Sequence, residues 1–252
     1  MCGKEEAVLP MMDDVYTDPE AELTLISSDN VGFKVHQYYL QAHSTVFRGM
    51  IHDFANSLPD RKIQLVDSQI EHSSTVRMFL DVITGKSLKL VRDSLGSFRN
   101  CILLSKKYEC EFALSCLSHH ASSFVPQWIS PHYVFIIAAE LDNMDLAMRA
   151  IAKKGNWTWP LDRTIPDPPR WRQLQESEES SAGYLGLSRG AGVLEVASWP
   201  IWEIERVPLA YMVALMKVDR KHSLAGSDDN RETAVEYFGE VMKDKQDTSI
   251  KA

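Results

Sequence analysis

The feature that most constrains this chain is a change of hydrophobic period early in the sequence. In Leu23-Thr24-Leu25-Ile26-Ser27 and again in Val31-Gly32-Phe33-Lys34-Val35, apolar residues recur at every second position, the mark of a strand with one buried face. Ser28-Asp29-Asn30 between them supplies turn chemistry, because Asp and Asn bond their own main chain and tolerate left-handed backbone. The spacing then becomes helical. Tyr39, Leu40 and His43, followed by Val46, Phe47, Met50 and Ile51, suit two short helices, with Ser44 placed to accept a backbone N–H at the start of the second. A hairpin followed by helices, with a further strand and helices after them, is an α+β pattern that several folds satisfy.

The alternation returns briefly in Lys62-Ile63-Gln64-Leu65-Val66, which ends at Asp67. Val76, Phe79, Leu80 and Ile83 then fall at i, i+3, i+4 and i+7 on a helix that Gly85 stops. Two further helices are expected, with Phe98, Cys101, Ile102 and Ser105 on one side of the first and Phe112, Cys116, Leu117 and His120 on one side of the second. Beyond Pro126 and Pro131 comes a helical pair, Val134, Phe135, Ala138 and Leu141 on one stripe and Leu146, Ala147, Ala150 and Ile151 on the other, turned by Asp142-Asn143. Residues 1–20 show no sustained period and read as a mobile tail or loosely docked arm, with order beginning near Glu22. From Gly155 to Pro200 the chain is rich in proline and glycine, yet it holds four of the six tryptophans, so parts of it are expected to be pinned to the helical body. Leu209, Met212, Val213 and Met216, then Val235, Phe238 and Met242, mark two last helices, with Asp229 and Glu232 spaced as a capping box.

Composition removes several function classes. A formal net charge of -8 argues against direct nucleic-acid binding, which needs a surplus of Lys and Arg on one face. The four cysteines form no CxxC pair and are too sparse for a disulfide framework, so reduced thiols in an intracellular chain, cytoplasmic or nuclear, are expected. The N-terminus lacks the apolar core of a secretory signal, and no apolar run is long enough to cross a membrane. Walker, GxGxxG, GxSxG and HExxH patterns are absent, and Gly183, Gly186, Gly190 and Gly192 follow no strand and precede no phosphate-binding Lys. His119 and His120 are adjacent and point apart on a helix. No metal, cofactor or catalytic group is expected. Trp157, Trp159 and Trp202 have two readings, packing of an extension or anchors for a partner protein.

Particular residues narrow the fold. Glu22-Leu23-Thr24-Leu25, Asp29, Phe33-Lys34-Val35-His36, Leu40 and Ser44-Thr45-Val46-Phe47-Arg48 resemble the signature of BTB/POZ domains, an acidic residue opening the strand, then F-x-x-H, a Leu and S-x-x-F. Phe79-Leu80-Asp81-Val82-Ile83-Thr84-Gly85 is similar to the family's F-L-x-x-Y-T-G, and Leu104-Ser105-Lys106-Lys107-Tyr108-Glu109-Cys110 to its L-A-x-K-Y-x-C. Glu22 stands where the family commonly has Asp, and Ile83 where it has Tyr. With its Trp- and Pro-rich second half, the whole arrangement resembles uncharacterised fungal BTB domain-containing proteins.

The resemblance implies a small three-stranded sheet with a cluster of helices, followed by a mostly helical extension. On that basis the chain divides into a flexible tail over 1–13, a BTB/POZ domain over 14–124, a BACK-like helical pair over 125–154, the Pro/Gly/Trp-rich excursion over 155–200 and C-terminal helices over 201–252. It also implies a non-catalytic protein-interaction adaptor forming a homodimer, with Glu22, His36, Leu40, Ser44 and Phe47 at the dimer contact or its pocket. Two alternative roles stay open. One is a substrate adaptor of a cullin-type ubiquitin ligase, for which Ile51-His52-Asp53 is the nearest hydrophobic-x-acidic element; the other is a transcriptional co-regulator that reaches DNA only through partners.

Overall fold

The alternating runs become a sheet because each turns its odd-numbered side chains inward. Leu23 and Leu25, then Val31, Phe33 and Val35, are buried, while Thr24 and Lys34 between them are half-exposed. They form β2 (Leu23–Ile26) and β3 (Val31–Val35), paired antiparallel with Leu25 opposite Phe33. Asn30 takes the left-handed conformation, φ 62°, that the connecting turn requires. The computed structural model describes residues 9–54, 61–88, 94–123, 129–153, 157, 192–199, 201–224 and 230–249. It divides into two units, Met1–His119 and His120–Ala252.

In the N-terminal unit the sheet has four strands where three were expected, in the order β1-β3-β2-β4. The added strand is β1 (Met11–Met12), parallel to β3, and β4 (Lys62–Gln64) runs parallel to β2 on the other side. Order therefore begins before Glu22. Main-chain pairing with β3 is the cause. The Asp13 amide donates to the Gly32 carbonyl at 2.9 Å, and the Lys34 amide donates to the Tyr16 carbonyl at 2.9 Å, so the arm is held by main-chain bonds that leave no hydrophobic period. Gly32 permits the approach, since a Cβ there would sit 2.8 Å from the Met12 sulfur.

The helices that follow are α1 (Gln37–His43), α2 (Thr45–Phe54), α3 (Ser73–Ile83), α4 (Leu95–Lys107) and α5 (Glu111–Ser122), the last running across the unit boundary. Helix α3 buries Val76, Phe79, Leu80 and Ile83 as their spacing requires. It ends at Gly85, φ 73°, where the Lys86 amide donates back to the Asp81 carbonyl at 2.8 Å. Its start is capped from a distance. Asp29 in the hairpin turn accepts the Ser73 amide at 2.8 Å and the Ser73 hydroxyl at 2.7 Å. Helix α5 is rotated from the expected stripe: Ala113, Leu117 and Ala121 are buried, whereas Phe112 is exposed and stacks on His43 at 4.3 Å between ring centroids. Small alanines fit the closely packed side, and the larger ring finds its partner at the rim.

A buried carboxylate joins the parts of this unit. Glu71 accepts the Asp67 amide at 2.6 Å, the Tyr108 hydroxyl at 2.7 Å and the Lys107 ammonium at 2.7 Å, while its own carbonyl accepts the Ser28 amide at 2.9 Å. Burial pushes its pKa up, but Lys107, the Asp67 amide and the Tyr108 hydroxyl outweigh burial and hold the carboxyl below its ordinary value. Tyr108 in turn stacks on Phe47, ring centroids 4.2 Å apart.

In the C-terminal unit α6 (Pro131–Glu140) and α7 (Met144–Ala152) form the expected pair. Asp142 turns the chain at φ 50°, and Asn143 caps α7 by accepting the Leu146 amide at 2.9 Å. After them come a 3₁₀ turn (Val196–Ser198), α8 (Ile201–Ile204), α9 (Leu209–His222) and α10 (Arg231–Ser249). Helix α10 packs on both α7 and α9. The core is aromatic. Phe135 meets Trp199, Tyr211 and Phe238 edge-on, with centroids 6.2, 6.3 and 5.8 Å away. In α9 the expected stripe is again displaced, since Tyr211, Met212, Ala214, Leu215 and Val218 are buried and Leu209, Val213 and Met216 are exposed. The Asp229 half of the predicted capping box lies outside the described residues.

Two outcomes test these cores. Glu71→Gln is expected to lower the urea midpoint at neutral pH by the equivalent of about 1–3 kcal/mol, because a charge-assisted hydrogen bond and ion pair lose their charge. Since the folded carboxyl titrates below the unfolded one, the difference from wild type is full above the unfolded value of about 4.3 and disappears as pH falls through the folded value. Phe238→Ala should cost about 3–5 kcal/mol, read as a loss of thermal stability, by leaving a cavity between Phe135 and Tyr211.

Candidate interaction surface

The residues singled out near the hairpin divide into an exposed group and a buried one. Glu22 opens β2, His36 closes β3, and the two meet because the strands are antiparallel neighbours, with Leu23 opposite Val35. His36 Nδ1 lies 3.3 Å from a Glu22 carboxylate oxygen, and its Nε2 lies 3.1 Å from Asp18 Oδ2 on the arm. The imidazole thus spans two carboxylates. The Asp18 hydrogen bond, with the charge of Glu22, raises the His36 pKa above its ordinary value. Asp18 is held low by the Glu20 amide and by His36; Glu22 is held low by its own backbone amide, with added help from Gln37 and His36. Glu22 also accepts the Gln37 amide at 3.3 Å, satisfying a donor at the start of α1.

Leu40, Ser44 and Phe47 lie inside. Leu40 and Phe47 are core side chains, and the Ser44 hydroxyl accepts the Phe47 amide at 3.0 Å while donating to the Tyr108 carbonyl at 2.5 Å. Their contribution to any surface is to hold α1 and α2 against α4. Ile51 is buried too, whereas Asp53 on the same helix is exposed, so the two do not form one exposed pair.

The arm contains what sequence reasoning missed. Asp13 is buried and accepts the Val15 and Tyr16 amides, both at 2.9 Å, and its other oxygen takes Arg77 Nε at 2.7 Å, with Nη2 bonded to it and to Asp14. The Tyr16 hydroxyl donates to Asp81 at 2.8 Å, its ring meets Phe33 edge-on, and the Lys86 ammonium lies 3.9 Å from the ring centroid. Burial, with help from Asp81, raises the Tyr16 hydroxyl's pKa far above its usual range. The available signal was a charge, Arg77, inside the apolar run Val76 to Leu80, which needed a carboxylate from elsewhere. Clamped in this way, the arm turns Met11, Met12 and Val15 toward solvent, and Tyr38 on α1 is also exposed.

Of the tryptophans proposed as anchors, Trp157 is half-buried. Its carbonyl accepts the Val193 amide at 3.0 Å, and the Lys153 ammonium lies 4.6 Å from its ring. Trp159 and the Trp202 side chain lie outside the described residues. Trp199, read only as part of the excursion, is fully buried and donates its indole N–H to the Val193 carbonyl at 2.8 Å. Among the described residues no group of three or more His, Cys, Asp or Glu is placed to hold a metal ion, and no helix is long and apolar enough to cross a membrane.

A small mixed sheet with a cluster of helices and a clamped arm is an arrangement of the α+β class. Residues 18–120 match the family model of the BTB/POZ domain. The N-terminal unit thus carries a region similar to the BTB/POZ domain, a protein–protein interaction module. No curated protein matches the chain.

The His36 bridge gives a pH dependence with a definite sign. Because the folded pKa is raised, its stabilisation is fully present below the unfolded value of about 6.5 and is lost as pH rises through the folded value. Proton-detected titration should place His36 above the reference value, and Glu22→Gln should bring it closer.

Proposed function

We propose that the protein is a non-catalytic adaptor that self-associates through its BTB/POZ domain, using the arm and first helix as the contact. The observation that carries this reading is the arm itself. Asp13 and Tyr16 fix its backbone to β3 and α3, yet Met11 is 71% exposed and Val15 48% exposed. Tyr38, at 69% exposure, adds an aromatic side chain from α1. A segment fixed by buried charge and hydrogen bonds while its apolar side chains face water is preorganised to bind, because little conformational entropy remains to be lost on association. A two-fold contact would place the same side chains on both partners. The acidic and imidazole groups of Asp18, Glu22 and His36 lie next to these residues in sequence and give the contact a polar element that discriminates among partners.

Sedimentation velocity of the full chain at micromolar concentration is expected to show a dimer, and Met11→Asp combined with Tyr38→Asp a monomer with unchanged helical content. A wild-type chain that is monomeric throughout that range overturns self-association.

A further inference from the structure

Helix α9 carries a second, exposed apolar surface on the side away from its buried residues. Its inward side, Tyr211, Met212, Ala214, Leu215 and Val218, is consumed by packing within the C-terminal unit. On the other side Leu209 is 78%, Val213 39% and Met216 53% exposed. These positions and the exposed Arg220 follow one another at intervals of four, three and four residues. That spacing keeps side chains in one line along a helix and is the seam through which two helices interdigitate. Isolated exposed apolar residues need no explanation, but a line of them at seam spacing describes a contact surface.

The charges at its end select the partner. Arg220 continues the line one turn beyond Met216, and exposed Lys217 flanks it one turn beyond Val213. Lys221 lies on the Tyr237 ring, 3.7 Å from its centroid, and is already engaged. The exposed end of the stripe is therefore basic in a chain whose formal net charge is -8. A helix laid along Leu209, Val213 and Met216 would bring its flanking positions beside Lys217 and Arg220, where carboxylates are favoured and ammonium groups opposed.

We propose that the exposed face of α9 docks an amphipathic helix from a partner protein, with apolar residues at heptad spacing and acidic residues flanking them. This deepens the adaptor reading, on which it rests for the protein's being an interaction scaffold, and assigns the C-terminal unit a contact separate from self-association. Three apolar side chains make a small interface, of the weak and exchangeable kind.

The test uses the full chain and two labelled peptides of about three heptads, both with Leu at a and d, one with Glu and the other with Lys at e and g. Fluorescence anisotropy is expected to show the Glu peptide binding at least ~10-fold more tightly than the Lys peptide, with the preference weakening as salt rises. Met216→Glu should weaken the Glu peptide by ~10-fold or more, Val213→Glu should act in the same direction, and Arg220→Glu should remove or invert the preference. No binding of the Glu peptide, equal binding of the two peptides, or binding indifferent to Met216→Glu and Val213→Glu overturns the proposal. Sedimentation separates this surface from the arm. If Met216→Glu turns a dimer into a monomer, the stripe is covered by a second copy and the proposal fails. If wild type is monomeric yet binds the Glu peptide selectively, self-association fails and the α9 site stands.

Discussion

The N-terminal unit depends on a carboxylate taken out of water. Glu71 is reached by a main-chain N–H from Asp67, a hydroxyl from Tyr108 at the end of α4 and the ammonium of Lys107, and its carbonyl receives Ser28 from the hairpin. A buried carboxylate without such partners would cost several kcal/mol (~1–3 for each lost hydrogen bond), so these elements have to arrive together. Their arrival fixes more than the ion pair. Tyr108 carries its ring onto Phe47 and its carbonyl to the Ser44 hydroxyl, and Ser44 caps α2. One charge thus sets the positions of hairpin, second helix and fourth helix, and through them the face on which Tyr38 is displayed.

The same economy recurs in two other places. Arg77, a charge set in the apolar run of α3, obliges the arm to supply Asp13 and Asp14, and the arm's apolar side chains are left outside as a consequence. In the C-terminal unit the satisfied group is the Trp199 indole N–H, whose bond to Val193 lets a large ring enter the core beside Phe135. The 3₁₀ turn after Val193 is held to α9 by Asp219, which accepts the Val196 and Leu224 amides, both at 3.0 Å. Trp199 is therefore a structural member of the unit, and the surface available to a partner lies on the opposite side of α9.

Much of this was legible in the residues. The alternation of β2 and β3, the Asn30 turn, the α3 stripe with Gly85 after it, the Ser44 cap and the turn at Asp142-Asn143 all depend on interactions within a few positions of one another, so local chemistry declares them. Helices α5 and α9 were harder. Each has apolar residues on more than one side, and the stripes Phe112, Cys116 and Leu209, Val213, Met216 are as regular as the buried ones. Periodicity shows that a face is apolar; it does not say which of two apolar faces the neighbours will cover. The arm had no period at all, because main-chain bonds to Gly32 and Lys34 and a distant guanidinium hold it.

By itself the sequence determined the α+β class, the hairpin, most helices and the family resemblance, because turn chemistry, caps and hydrophobic spacing act over short stretches of chain. Only the tertiary structure decided that Asp13 and Tyr16 are clamped, that His36 joins Asp18 to Glu22, that Ile51 is inside while Asp53 is outside, and that α9 turns Leu209, Val213 and Met216 to solvent. Each of those outcomes depends on which distant group reaches a charge or a face first, a competition settled by packing among residues tens of positions apart and invisible in any local window.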